Sequence, residues 1–189
     1  YNHEVNNQNS ISSDTLSDLV IDDNGSIWIS FFAKGLCKFE PEENQFTRFS
    51  NVNIKDNYIL SDSVHALYKD NAGKIWIAFR SQKIAEIDPA NNHINYYSIQ
   101  GENVNPSAII TKIFVDNSGL VWIGTYREGL ILFDREKNKF TSIKNNTENP
   151  ANTINYAYCI YQDKAGLIWI GDLESIHTYS PFSQTFINH

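Results

Sequence analysis

Apolar residues in this chain come in short blocks of successive positions, broken at regular intervals by Asp, Asn and Gly. The clearest block is Ile113 to Phe140, IFVDNSGLVWIGTYREGLILFDREKNKF. Ile113 to Asp116 ends an apolar run that starts near Ile109, and Asn117, Ser118 and Gly119 form a turn. There the Asp116 carboxylate can accept from backbone N–H groups two residues on, and Gly accepts positive φ. Leu120 to Thr125 reads LVWIGT, apolar on successive rather than alternate residues, which predicts a strand buried on both faces. Tyr126 to Gly129 turn the chain into Leu130 to Asp134, and DREKNK leads to a last strand at Phe140 to Ile143. The unit is a four-stranded antiparallel meander.

The same pattern recurs at LVIDDNGSIWISFFAKGLCKFEPEENQF from Leu19, LYKDNAGKIWIAFRSQKIAEIDPANNHI from Leu67 and IYQDKAGLIWIGDLESIHTYSPFSQTF from Ile160, the last one residue short. Trp28, Trp76, Trp122 and Trp169 are 48, 46 and 47 residues apart, a period that indicates a solenoid, propeller or array. A meander buried on both faces stacks on copies of itself, and radial stacking protects most strand edges. The predicted fold class is all-β, a β-propeller segment of four blades at about 14–50, 62–99, 108–144 and 155–189. Helical periodicity is absent, and a parallel β-helix would use shorter repeats.

Antiparallel strands send alternate loops to opposite faces. The loop before each first strand and the loop after each Trp strand share one face, and the Asp-x-x-Gly turns share the other. The Asn- and Ser-rich stretches at Tyr1 to Asp14, Ser50 to Ser63, Gln100 to Ser107 and Lys144 to Thr153 read as connections between blades. Counted from the turn glycine the Trp position never changes, whereas the loop beyond it differs in every copy, as on a binding face carried by a rigid frame.

Composition narrows the partners. The chain has 41% hydrophobic residues, enough for a sizeable core. A net charge of −7 without a Lys/Arg cluster argues against nucleic acid. No run of about 18 apolar residues is present, so no membrane contact is expected of this segment. With no Met at all, the chain is expected to be a piece of a longer protein. Cys37 and Cys159 fall at different phases of the repeat and are expected to be buried and unpaired. No metal-ligand, cofactor or catalytic arrangement is read. Glu128, Asp172 and Glu174 are carboxylates of the kind glycoside hydrolysis uses, but on charged loops they are expected to be solvated.

Candidate ligand-binding residues lie on the variable loops and the first strands. Phe32 and Tyr126 offer rings for the apolar faces of sugars, while Lys34, Arg80, Arg127 and Glu128 offer charged groups for hydroxyls and carboxylates. His65 and Lys112, with Ser17, Asp18, Thr111 and Tyr158 at corresponding phases, form a polar inner ring that either lines a hydrated channel or binds ligand.

The motif D-x-x-G-x-[IV]-W-I-G-T, followed by G-L and F-D, resembles the two-component regulator propeller repeat. Asp116, Gly119, Trp122, Ile123, Gly124, Thr125, Gly129, Leu130, Phe133 and Asp134 carry it in full, and the connector from Asn6 to Asp14 is similar to that family's linker. Ser30-Phe31 and Ala78-Phe79 depart from Gly-Thr, and Lys83-Ile84 and Ser175-Ile176 from Gly-Leu. The resemblance implies the periplasmic sensor half of a bacterial hybrid two-component histidine kinase, recognising glycan fragments, non-catalytic in this segment. A protein-interaction scaffold and a carbohydrate-active propeller enzyme are the alternatives. Four whole blades leave no strand over to close a ring, so the first and last blades would expose apolar faces, on the order of several hundred Å2 each. The expected assembly is a homodimer, or completion by further blades of the full-length protein, with tight four-bladed closure as a further possibility.

Overall fold

A computed structural model describes residues 1–49, 59, 63–80, 83–101, 103–105, 107–143 and 154–189. The expected connections at 50–63 and 144–153 therefore lie almost entirely outside the described residues, as do Ser81 and Gln82. No helix occurs among the described residues, and none is long and apolar enough to cross a membrane. The strands are β1 (Leu16–Ile21), β2 (Ile27–Phe31), β3 (Leu36–Glu40), β4 (Gln45–Phe49), β5 (Val64–Lys69), β6 (Ile75–Phe79), β7 (Lys83–Asp88), β8 (His93–Ser98), β9 (Ile109–Val115), β10 (Val121–Tyr126), β11 (Leu130–Asp134), β12 (Lys139–Ile143), β13 (Cys159–Gln162), β14 (Ile168–Gly171), β15 (Ile176–Ser180) and β16 (Thr185–Asn188). They form four separate four-stranded antiparallel meanders in chain order, as expected for propeller blades. The chain divides into two compact units, Tyr1–Tyr97 and Ser98–His189.

Two turns recur in every blade. After the first strand, Gly25, Gly73, Gly119 and Gly166 all take φ between 76° and 87°, which is why glycine stands at that phase. Between third and fourth strands, Asn44, Asn92, Asn138 and Gln184 take positive φ. Asn tolerates that conformation better than most residues.

The aspartate opening each first turn holds the blade together. Asp116 Oδ1 accepts from the backbone N–H groups of Ser118 and Leu120 at 2.9 and 3.1 Å, and Oδ2 accepts from Trp122 Nε1 at 2.8 Å. The same three-bond set joins Asp22 to Trp28, Asp70 to Trp76 and Asp163 to Trp169. Each carboxylate thus fixes the turn and accepts from an indole N–H, which at the buried Trp28, Trp76 and Trp122 would otherwise be costly.

In the first unit, one core cluster contains Trp28, Leu36 and Phe49 of the first blade with Leu67, Ile75, Ile77, Phe79 and Ile87 of the second, and Ile59 of the connection. In the second unit, Trp122 meets Tyr179 of the following blade edge-on at 5.4 Å. The expectation that every Trp strand is buried on both faces holds for β2, β6 and β10 but not for β14. Trp28, Trp76 and Trp122 are 0–1% exposed and Trp169 is 36% exposed.

Candidate functional site

Residues expected to form a polar inner ring do something else in part. Ser17 Oγ donates to the Val64 carbonyl at 2.7 Å in the first unit, and Thr111 Oγ1 donates to the Ala157 carbonyl at 2.5 Å in the second. Both stand five residues before their turn aspartate, and both acceptors stand six residues before the next one. Asp18 Oδ2 also accepts from Leu67 N at 3.1 Å. Ser17, Asp18 and Thr111 are therefore clasps between consecutive first strands. Gly124 belongs to this join, because a Cβ there would sit 2.5 Å from the Ala157 oxygen.

His65 and Tyr158 occupy the same phase in the other two blades, and both take part in ring contacts. In the first unit, Phe32, just past β2, meets the His65 ring edge-on at 5.3 Å. In the second, Tyr126, at the end of β10, meets Tyr156 at 5.0 Å, and Tyr156 stacks on Tyr158 at 6.1 Å. Phe32 and Tyr126 share one phase of the repeat, as do His65 and Tyr158. Each unit thus places an aromatic from the loop after a Trp strand against rings at the start of the next blade. Phe32 and Tyr158 are well exposed.

Arg127 extends the second cluster. Its guanidinium lies over the Tyr126 ring, 5.1 Å from the centroid, in cation–π range. Hydrogen bonding to Tyr156 and the electrostatic influence of Tyr126 and Tyr156 push its basicity above the usual arginine range. The backbone of Arg127 is left-handed, φ 70°, a conformation that costs an L-residue free energy and that clusters at functional sites. Glu128 turns away and accepts from Asn105 Nδ2 at 2.6 Å, tying this loop to the one before β9. Behind it, Thr125 Oγ1 donates to the Gly129 carbonyl at 2.8 Å and closes the turn.

Of the remaining candidates, Lys34 and Arg80 are exposed on their loops, and Lys112 is half-buried on β9. The aromatic clusters gather Phe32 with His65 and Tyr126 with Arg127. Tyr156 went unnoticed in the sequence because it stands at the start of the fourth blade, ahead of the first strand; its bridge to Tyr126 exists only once the chain is folded.

Two expectations need correction. Cys37 is buried, but Cys159 is exposed, because it lies on the uncovered face of the last blade. Burial pushes the Cys37 thiol up to about 11. Asp172 is not a solvated loop carboxylate: it packs beside the buried His177, with 3.8 Å between Oδ2 and Nε2. Ser175 Oγ hydrogen-bonds the same nitrogen at 2.8 Å. Desolvation holds the His177 pKa below its usual value, against the opposing pull of Asp172. Glu174 is exposed. No group of three or more metal-ligating side chains occurs among the described residues.

Among the described residues, sixteen strands in four meanders, closed by the same turn and the same Asp–Trp bond, define a β-propeller segment. Residues 58–81, 105–127 and 152–173 match the family described as two component regulator propeller, so these three stretches are similar to the repeats of that family. Among solved structures, the extracellular domain assigned to the hybrid two component system BT3049 of B. thetaiotaomicron superposes with a TM-score of 0.82 at 21% identity, over 99% of this chain and 25% of that one. That of the one component system BT4673 of the same organism gives 0.76 at 16%, over 99% and 26%. A catalytically inactive virginiamycin B lyase from Staphylococcus aureus, crystallised with quinupristin, gives 0.71 at 13%, over 99% and 58%. At these identities the likeness is one of fold. The chain spans about a quarter of the two extracellular domains. No curated protein sequence matches it.

Proposed function

We propose that this chain is an extracytoplasmic, periplasmic sensing segment of a bacterial hybrid two-component sensor, that it binds glycan fragments on its loop face, and that it is non-catalytic in itself. The observation that carries the reading is the aromatic cluster in the second unit, Tyr126, Tyr156 and Tyr158 with Arg127 across the Tyr126 ring. Partly exposed rings suit the C–H faces of pyranoses, and a guanidinium held by ring and hydroxyl contacts keeps donors for hydroxyl or carboxylate oxygens at little further entropic cost. The rings sit where two blades meet, on a frame fixed by the Asp–Trp bonds, so the site is preorganised. Phe32 and His65 supply a smaller counterpart in the first unit, with Lys34 and Arg80 on neighbouring loops. The fold likeness to extracellular domains of two component systems supports the sensor assignment.

Calorimetric titration of the chain with neutral and uronate-containing oligosaccharides tests the proposal. Saturable heat without product formation, weakened at least tenfold by Tyr158→Ala, is expected. Turnover would move the chain to a carbohydrate-active enzyme, and absence of binding across both classes would overturn the glycan assignment.

A further inference from the structure

Arg127 is a cation held by phenols. Among the described residues, Lys38, Lys69, Lys74 and Lys137 each meet a carboxylate oxygen at 2.6–3.0 Å. The electrostatic partners of the exposed Arg127 are instead Tyr126 and Tyr156, with the guanidinium 5.1 Å from the centre of the Tyr126 ring. Its acidic neighbour is diverted, since Glu128 Oε1 accepts from Asn105 Nδ2 at 2.6 Å. The backbone takes part as well: Arg127 has φ 70°, whereas Ala33, at the same phase of the first blade, is not left-handed. A non-glycine residue in that region costs free energy, so the third blade presents its cation at a cost that the loop of the first blade avoids.

A guanidinium stacked on one ring and bonded to one phenol keeps further N–H donors in the plane of its fork. A sugar lying on Tyr126 and Tyr156, both partly exposed, removes water from that cation. A neutral hydroxyl replaces the water weakly, whereas a carboxylate offers two coplanar oxygens for parallel N–H bonds that are roughly twice as strong. Matching the charge also avoids covering an unbalanced cation.

With a net charge of −7, the chain as a whole repels anions, so an acidic ligand needs a local excess of cations. Along the Trp strands the charges separate by end. In the second unit, Asp116 precedes β10 and Arg127 closes it off. In the first unit, Asp22 and Asp23 precede β2 and Asp70 precedes β6, while the segments that follow, Phe32 to Gly35 and Arg80 to Gln82, hold Lys34 and Arg80 and no carboxylate. The last blade departs from this, with Asp172 and Glu174 after β14, and Asp172 packs beside His177.

Given the glycan reading of this site, on which the step depends, we infer that the second unit selects acidic sugars: the carboxylate of a uronate residue takes the remaining donors of the Arg127 guanidinium while its pyranose ring covers Tyr126 and Tyr156.

Calorimetric titration of the full 189-residue chain with oligogalacturonate and oligoglucuronate, each against its methyl ester, is the test. The free acid is expected to bind at least tenfold more tightly than the ester, by a margin that narrows as salt is added. Arg127→Gln, checked by circular dichroism for wild-type melting, is expected to bind the ester as wild type does and to lose the preference for the acid. Esters that bind as tightly as acids, a preference that survives in Arg127→Gln, or binding confined to neutral oligosaccharides would each overturn the inference and leave the glycan reading standing. Silence from acidic, esterified and neutral saccharides alike would remove that reading and the inference with it.

Discussion

Replacing Asp116 by Ala tests whether the turn aspartates hold the blades. Asp116 is buried and accepts four hydrogen bonds, from Trp122 Nε1, the backbone N–H groups of Ser118 and Leu120, and Ser118 Oγ at 2.6 Å. Alanine leaves the indole N–H of Trp122, 1% exposed, without an acceptor, a loss of about 1–3 kcal/mol. The turn N–H groups lie nearer solvent and regain water, so they add only about 0.5–1 kcal/mol. The expected loss is therefore roughly 2–4 kcal/mol, read as a lower urea midpoint followed by circular dichroism. Trp122→Phe supplies the control. It removes the donor, so its cost in the Asp116→Ala background should be smaller than in wild type by about 1–2 kcal/mol. Asp163→Ala removes the same bond to a Trp that is 36% exposed, where water can replace the carboxylate, and should destabilise clearly less than Asp116→Ala. Equal losses at the two aspartates, or strict additivity with Trp122→Phe, would refute the reasoning.

Arg127→Gly relieves a left-handed backbone and removes the guanidinium. Melting should be no lower than wild type, while affinity for a bound saccharide, measured calorimetrically, should fall at least tenfold. Because burial depresses the His177 pKa in the folded state, the unfolded chain takes up that proton more readily. Stability should be full above the ordinary histidine value and decline as pH falls below it. His177→Gln should flatten that part of the urea-midpoint profile between about pH 8 and about pH 5. Native alkylation read by mass spectrometry should label Cys159 and spare Cys37, whose thiol is both buried and held protonated to about 11; labelling of Cys37 at the same rate would show that the first blade opens.

The blades were legible because their information is local. Two-faced apolar runs, a turn that needs glycine, and a Trp at a fixed offset are written four times, so each copy reads without knowledge of its neighbours. The Asp116 to Trp122 bond was half legible: the turn role of the carboxylate follows from sequence spacing, whereas its second oxygen meets the indole only because β1-type and β2-type strands pair with Val115 opposite Val121. The candidate site was less legible. Tyr126 and Arg127 stood out as planar groups in a variable loop, but Tyr156 joins them from a stretch about 30 residues away with no periodic signal. Ser17 and Thr111 were read as ring-lining polar groups because a hydroxyl in a strand announces no partner; the acceptor is a backbone carbonyl of the next blade.

The fate of the four tryptophans shows where local information stops. All four sit in the same turn-strand motif and make the same bond to aspartate at 2.7–2.9 Å, so the motif decides their conformation within the blade. Burial is decided outside it. Trp28 and Trp122 are covered because another blade follows in the same unit, and Trp169, equally well formed, remains partly open. The bond to Asp163 consequently lies where solvent can compete, although hydrogen bonding from Trp169 still holds that carboxyl below the usual range. A repeat of this kind separates three tasks: its aspartates and tryptophans build the blade, its branched aliphatic faces stack blades, and its loops are free to vary. Substitutions at the first two sets should therefore register in unfolding, and at Arg127 and Tyr158 in binding. A variant at Arg127 or Tyr158 that moved both readouts together would mean that the loop face is part of the frame.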